Sequence, residues 1–254
     1  MTLASPPVAG IDPQADRDTA THRSEIAVLA TAACLNVLVS GALPERYYVP
    51  AGLAAGALAS GIALMGGVSL AELGLGPRSA VAGAGFGVAL ALPVSAGILA
   101  GARFGHVDSL YEPSHFEGWD AGRACYEVML RTPFGTALPE EMIFRGALLA
   151  LASRSRGPAV ASARTSALFG VWHMLPTIAR LQSTTVAARR PARQRAAWVL
   201  LSMAVTAAAG LALAALRQRS GSLIAPWLVH WAANAAGFAA AWLATRRTSE
   251  TRAA

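Results

Sequence analysis

The chain is divided into apolar blocks about as long as a bilayer is thick, and this spacing constrains its fold more than any other feature. Blocks run over 26–43, 49–68, 79–100, 158–175, 196–216 and 222–244. Each approaches the roughly 17–25 residues that a helix needs to cross hydrocarbon. Apolar and polar residues do not alternate within them, so the period of a half-buried strand is missing. Hydrophobic residues make up 54% of the chain and charged residues 14%, with a mean hydropathy of +0.45. An ordinary soluble domain carries about 25% charged residues. The expected fold class is all-α, a polytopic transmembrane helix bundle.

Two less plain segments complete the count. Segment 136–152 is apolar except for Glu140, Glu141 and Arg145, and segment 118–132 carries Asp120, Arg123 and Glu127. Counting both gives about eight spans with both termini on one side. Arg17, Arg23, Arg78, Arg131, Arg180, Arg189, Arg190, Arg193, Arg195, Arg246 and Arg247 then share a compartment. The positive-inside rule makes that compartment the cytoplasm. The expectation is a multi-pass plasma-membrane protein with both termini cytoplasmic. Every basic residue is Arg, which suggests a GC-rich, bacterial genome. In domain terms, 1–25 reads as a polar, disordered tail, 26–245 as the transmembrane helical domain and 246–254 as a short basic tail. The first block lacks an obvious small-residue cleavage site and reads as a retained span.

The net charge is +7, but the basic residues lie between apolar blocks and not on one amphipathic face, so no nucleic-acid partner is expected. The bilayer is the expected partner of the Arg-rich loop at 177–195. The acidic, aromatic loop at 103–117 is expected outside. Cys34 and Cys125 are too far apart for a disulfide framework or a metal pattern and read as small buried residues. Gly83, Gly85 and Gly87 offer close helix packing.

Three short motifs place ionisable or polar side chains in these apolar segments, where a charge at mid-helix costs at least about 2.5–3.5 kcal/mol. The first is Glu140-Glu141-Met142-Ile143-Phe144-Arg145, preceded by Pro139. Proline suits a first helical turn, which would set both carboxylates at a helix N-terminus. Glu141 and Arg145 are four apart and can pair; a salt-bridged helix start is their plain structural reading. Glu140 points about 100° away, without a partner in its own helix. The second motif is Phe169-Gly170-Val171-Trp172-His173, with Phe169 and His173 on one face. The third is His230-Trp231-Ala232-Ala233-Asn234, with His230 and Asn234 on one face. Singly, His173 is a packing residue and His230 with Asn234 is interhelical glue. Together the six residues point to a site.

HExxH and GxSxG are absent, and no pair of Asp lies within the spans, which removes zincin, serine-nucleophile and aspartyl chemistries. A carboxylate base, two imidazoles and an amide donor remain. That set suits water activation with stabilisation of an oxyanion. It also contains three candidate ligands for a divalent metal such as zinc, Glu140, His173 and His230.

EExxxR, FxxxH and HxxxN in this order resemble the CPBP family, the CAAX prenyl proteases and bacteriocin-processing or immunity proteins also called the Abi family. The resemblance covers about 131–244, with Ser69-Leu70-Ala71-Glu72-Leu73-Gly74-Leu75 as a similar lead-in. It implies an intramembrane endopeptidase, widely labelled a metalloprotease, whose site opens towards the cytoplasm. Glu140 would be the main base, activating water with His173. Glu141 would assist, Arg145 would orient the carboxylates, and His230 and Asn234 would hold the oxyanion. The substrate would be a membrane-embedded or lipid-associated peptide or protein. A non-catalytic immunity or scaffold protein is the alternative, and a small ion transporter a weaker one.

Overall fold

The computed structural model of the chain describes residues 13–104, 118–183 and 190–253. Its elements are helical throughout the described residues. Helix α1 (Pro13–Val37) continues through a π-helical stretch at Leu38–Ala42, and a 3-10 turn at Glu45–Tyr47 leads into α2 (Tyr48–Met65). Helix α3 is Pro77–Phe104. Next come α4 (Ala121–Tyr126), a π-helical Glu127–Ala137, α5 (Leu138–Glu141), a π-helical Met142–Leu148 and α6 (Leu149–Arg156). The chain ends with α7 (Pro158–Trp172), α8 (Met174–Ser183), α9 (Ala192–Ser220) and α10 (Ile224–Ala253). Four helical stretches, Asp18–Ala42, Glu45–Met65, Pro77–Arg103 and Ala192–Ser220, are long and apolar enough to cross a membrane. Their outward faces stay apolar: Val81 is 85% and Leu92 is 68% exposed, as a surface facing lipid requires.

Among the described residues these four are found, and the expected count of eight spans is not confirmed. Segments 118–132 and 136–152 are not two passes, because the backbone stays helical without a break from 121 to 156. Pro133 and Pro139 do not end that helix. In a π-helical register the carbonyl five residues back expects the N–H that proline lacks. For Pro133 that carbonyl belongs to Val128, and Trp231 supplies the missing donor from its indole nitrogen at 2.8 Å. The Trp227 indole donates to the Pro133 carbonyl at 2.9 Å. Pro139 is therefore not a helix start, and Glu140 and Glu141 sit in the middle of a helix and not at a free N-terminus.

Losing one crossing moves the termini apart. Glu25, midway along α1, pairs with Arg156 at the end of α6. Arg154 donates to the carbonyl of Gly67, just past α2, and the N–H of Leu223, before α10, donates to the carbonyl of Gly74. These contacts gather one end of the bundle. At the other end Glu45 pairs with Arg123, and Trp119, just before α4, stacks on Phe238, midway along α10. The start of α1 and the end of α10 thus lie at opposite ends, against the expectation of a shared side.

Three smaller expectations also change. Residues 13–25 belong to α1, and residues 246–253 continue α10, so neither is a tail; 1–12 lie outside the described residues, as do 105–117 and 184–189 of the two expected loops. Cys34 and Cys125 are free and exposed. Of the three glycines, Gly83 and Gly87 face α10: a Cβ on Gly83 would stand 2.4 Å from Cβ of Ser222, and one on Gly87 2.8 Å from Leu228. Gly85, between them, faces open space.

Candidate active site

The apolar core surrounds the first motif. Ile143, Phe144, Ala147 and Leu148 are buried with Val28 and Leu35 of α1, Ala59 and Ala63 of α2, and Phe169 and Trp172 of α7. The helical twist that buries these groups carries Glu140, Glu141 and Arg145 inward as well, at 7%, 0% and 2% exposure. Charges this deep are sustained only by partners.

Glu141 has two. Its Oε1 accepts from Arg145 at 2.9 Å and from Nδ1 of His230 at 2.8 Å. A carboxylate accepts only, so Nδ1 of His230 carries the proton. Nε2 of the same ring then faces Oε2 of Glu140 at 3.8 Å. Glu140 is held on its other side, where Oε1 accepts from the Trp172 indole nitrogen at 3.1 Å. Oε2 of Glu140 is buried and has no hydrogen-bond partner. One oxygen of the carboxylate is thus fixed, and the other is open beside an imidazole.

Phe169 is the hub beneath these groups. The Arg145 guanidinium lies 4.0 Å from its ring centroid, within reach of a cation–π contact. The rings of His173 and His230 meet it edge-on, at 4.6 and 5.8 Å between centroids. His173 closes α7. Its Nδ1 is 2.8 Å from the Phe169 carbonyl, an acceptor, so Nδ1 carries a proton and donates it.

His173 and Glu140 line one cavity of about 560 Å³, together with Trp172, Tyr48, Arg131 and Arg180. At its wall the buried Glu127 accepts from Arg123 at 2.7 Å and from Arg131 at 2.9 Å. Phe238 lines this cavity and also an apolar groove of about 350 Å³ between Trp119, Val128, Met129 and Trp242.

The structure bonds Glu141 to Arg145 and His230, sets Glu140 3.8 Å from His230, and sets His173 on the same cavity as Glu140. Asn234 lies one turn beyond His230 on α10, partly buried, and its side chain makes no hydrogen bond among the described residues. Three tryptophans were missed as site residues. Trp172 holds Glu140, while Trp227 and Trp231 dock α10 on the carbonyls near Pro133 and so deliver His230. The signal was present: each lies within or three residues before a motif already marked for its His.

Among the described residues no three His, Cys, Asp or Glu side chains converge as a metal site. His230 and His173 each spend Nδ1 on an oxygen and leave Nε2 for another partner, as a metal-bound imidazole does, but with Glu140 they are not gathered into a three-ligand centre among the described residues.

Residues 124–236 match the family model described as type II CAAX prenyl endopeptidase Rce1-like. The matched segment contains all six motif residues, and over it the CPBP resemblance is borne out. No curated protein and no solved structure matches the chain.

Proposed function

We propose that the chain is an intramembrane endopeptidase that hydrolyses a peptide bond of a membrane-associated protein or peptide. The observation that carries this reading is the asymmetric hold on Glu140: Trp172 fixes Oε1, while Oε2 is buried and open next to His230. A water on that side loses its proton to Oε2, with the Nε2 lone pair of His173 as the second acceptor on the cavity. The hydroxide attacks the carbonyl carbon, and the carbonyl π pair moves to oxygen. The Asn234 amide donates to that oxyanion, and Nε2 of His230 does so when the ring binds substrate as the imidazolium, its second proton taken from solvent beforehand and kept through the reaction. The intermediate collapses, the C–N bond breaks, and Glu140 returns its proton to the leaving amine. Arg145 and Glu141 act behind this centre: their pair holds His230 by Nδ1.

The apolar groove that meets the cavity at Phe238 suits the lipid-associated flank of a substrate, which supports a membrane-borne target. The cavity is lined by Arg131 and Arg180, and we place it towards the cytoplasm of a plasma membrane, the side on which flanking arginines are favoured.

The test compares wild type with Glu140→Gln, expressed at matched levels in the native host, by mass spectrometry of membrane-protein termini. New termini found only with wild type give the substrate and the cut. Identical termini from two folded, inserted proteins would replace the protease reading with that of a scaffold or immunity protein.

A further inference from the structure

Trp172 is bound to Glu140 in a way that the chemistry above leaves unexplained. The indole N–H donates and cannot accept, so at 3.1 Å it fixes one named oxygen of the carboxylate, Oε1. Without that bond the two oxygens exchange by rotation about the terminal side-chain torsion, which is broad and two-fold. With it, Oε2 is the oxygen left facing Nε2 of His230.

Trp172 is itself over-determined. It is 7% exposed, and its ring meets Phe144 at 75° with centroids 5.6 Å apart. Its carbonyl accepts from the Asn36 side-chain amide at 2.8 Å. Asn36 lies on α1, is buried, and has its own amide oxygen held by the Ser40 hydroxyl at 3.3 Å. The next residue, His173, is fixed by the Phe169 carbonyl. A single turn at the end of α7 therefore sets both the carboxylate rotamer and the imidazole on the cavity, and α1 braces that turn.

We propose that Trp172 is a positioning residue: by holding one oxygen of Glu140 it fixes the orientation of the carboxylate, so that the other oxygen, beside His230, takes the proton from water, with Asn36 of α1 bracing it. This rests on the protease reading for its consequence, and on the hydrogen bond for its premise.

The test has two readouts. The first is the indole N–H resonance of Trp172 in ¹⁵N-labelled protein in lipid nanodiscs, assigned by its loss in Trp172→Phe. Glu140→Gln should shift that resonance, whether or not any substrate is known. The second is steady-state cleavage of the substrate found by terminus analysis. Trp172→Phe should lower kcat about 10- to 100-fold, the range for losing a hydrogen bond to a charged group, with KM within about twofold of wild type. Benzothienylalanine at position 172 keeps the bicyclic shape without the N–H and should give the same loss, which separates the donor from packing if Trp172→Phe folds poorly. Asn36→Ala should give a smaller kcat loss of the same kind. An unshifted indole resonance in Glu140→Gln removes the premise. A wild-type kcat with benzothienylalanine, in an enzyme that does cleave, removes the positioning role and leaves the protease reading intact. Absence of any cleavage by wild type ends the protease reading and with it the positioning role, while the resonance still reports the contact.

Discussion

His230 donates through Nδ1 to Oε1 of Glu141 at 2.8 Å, across the 89 residues that separate them in the chain. This bond joins α10 to the helix at 121–156 in the bundle interior, and it gives the two histidines of the site different duties. His173 spends its Nδ1 on a carbonyl of its own helix. His230 is a tie between helices.

The two alanine variants should therefore separate. His173→Ala is expected to lose activity by roughly 10²–10⁴-fold with little change in thermal unfolding in detergent. His230→Ala should lose activity and also unfold at lower temperature, because Glu141 loses one of its two donors in a dry site. Equal melting temperatures for the two would refute the assignment of His230 as a tie.

Arg145 and Glu141 form a buried pair, 2% and 0% exposed. Removing the cation alone, as in Arg145→Met, strands Glu141 and should cost about 3–5 kcal/mol. Arg145→Met combined with Glu141→Leu should recover much of that stability without recovering activity. A double-mutant cycle on unfolding free energy measures this, and additive losses would show that the pair is not coupled.

Much of this site was legible before any coordinates. The spacings EExxxR, FxxxH and HxxxN mark residues that the structure gathers around one cavity, because helical periodicity survives in lipid. The course of 118–156 was not legible. Pro133, Gly135 and Pro139 read as a break, and the reason they are not one lies outside that segment, in the indoles of Trp227 and Trp231 on α10. A carbonyl satisfied from another helix leaves no local trace. Glu25 was missed for the same reason: its partners Arg156 and Arg164 lie 131 and 139 residues further on.

Gly83 and Gly87, four apart, admit α10 against α3, whereas Gly85 faces open space. Gly83→Ala should lower stability by roughly 1–3 kcal/mol, the usual cost of overpacking. Gly85→Ala should be neutral or slightly stabilising. Thermal unfolding of the two single variants in the same detergent is sufficient, and a reversed order would mean that α3 and α10 do not pack on this face.

Glu72 lies in the turn between α2 and α3, where the Arg154 guanidinium, helped by Ser69, holds its carboxyl at about 2 against an ordinary 4.5. A depressed acid adds stability that is fully present above its unfolded value and is lost as pH falls through the folded one. The contribution of Glu72 should thus be intact near neutral pH and disappear between about 4.5 and 2. Glu72→Gln should flatten this part of the acid-unfolding curve, and curves that stay parallel would assign the acid sensitivity to other groups.

Glu25 is 3% exposed and is held by Arg156 and Arg164. Both arginines are made long after it. At about 5–20 residues per second, the ribosome needs roughly 7–26 s to cover the 131 residues to Arg156. Throughout that interval a growing α1 holds a carboxylate with no arginine to answer it. The ion pairs that hold Glu25 can therefore form only after α6 and the first half of α7 have been synthesised. Biogenesis of this protein closes on its own beginning, and a shortened N-terminus that dispensed with Glu25 would leave two late-arriving guanidinium groups without a counter-charge.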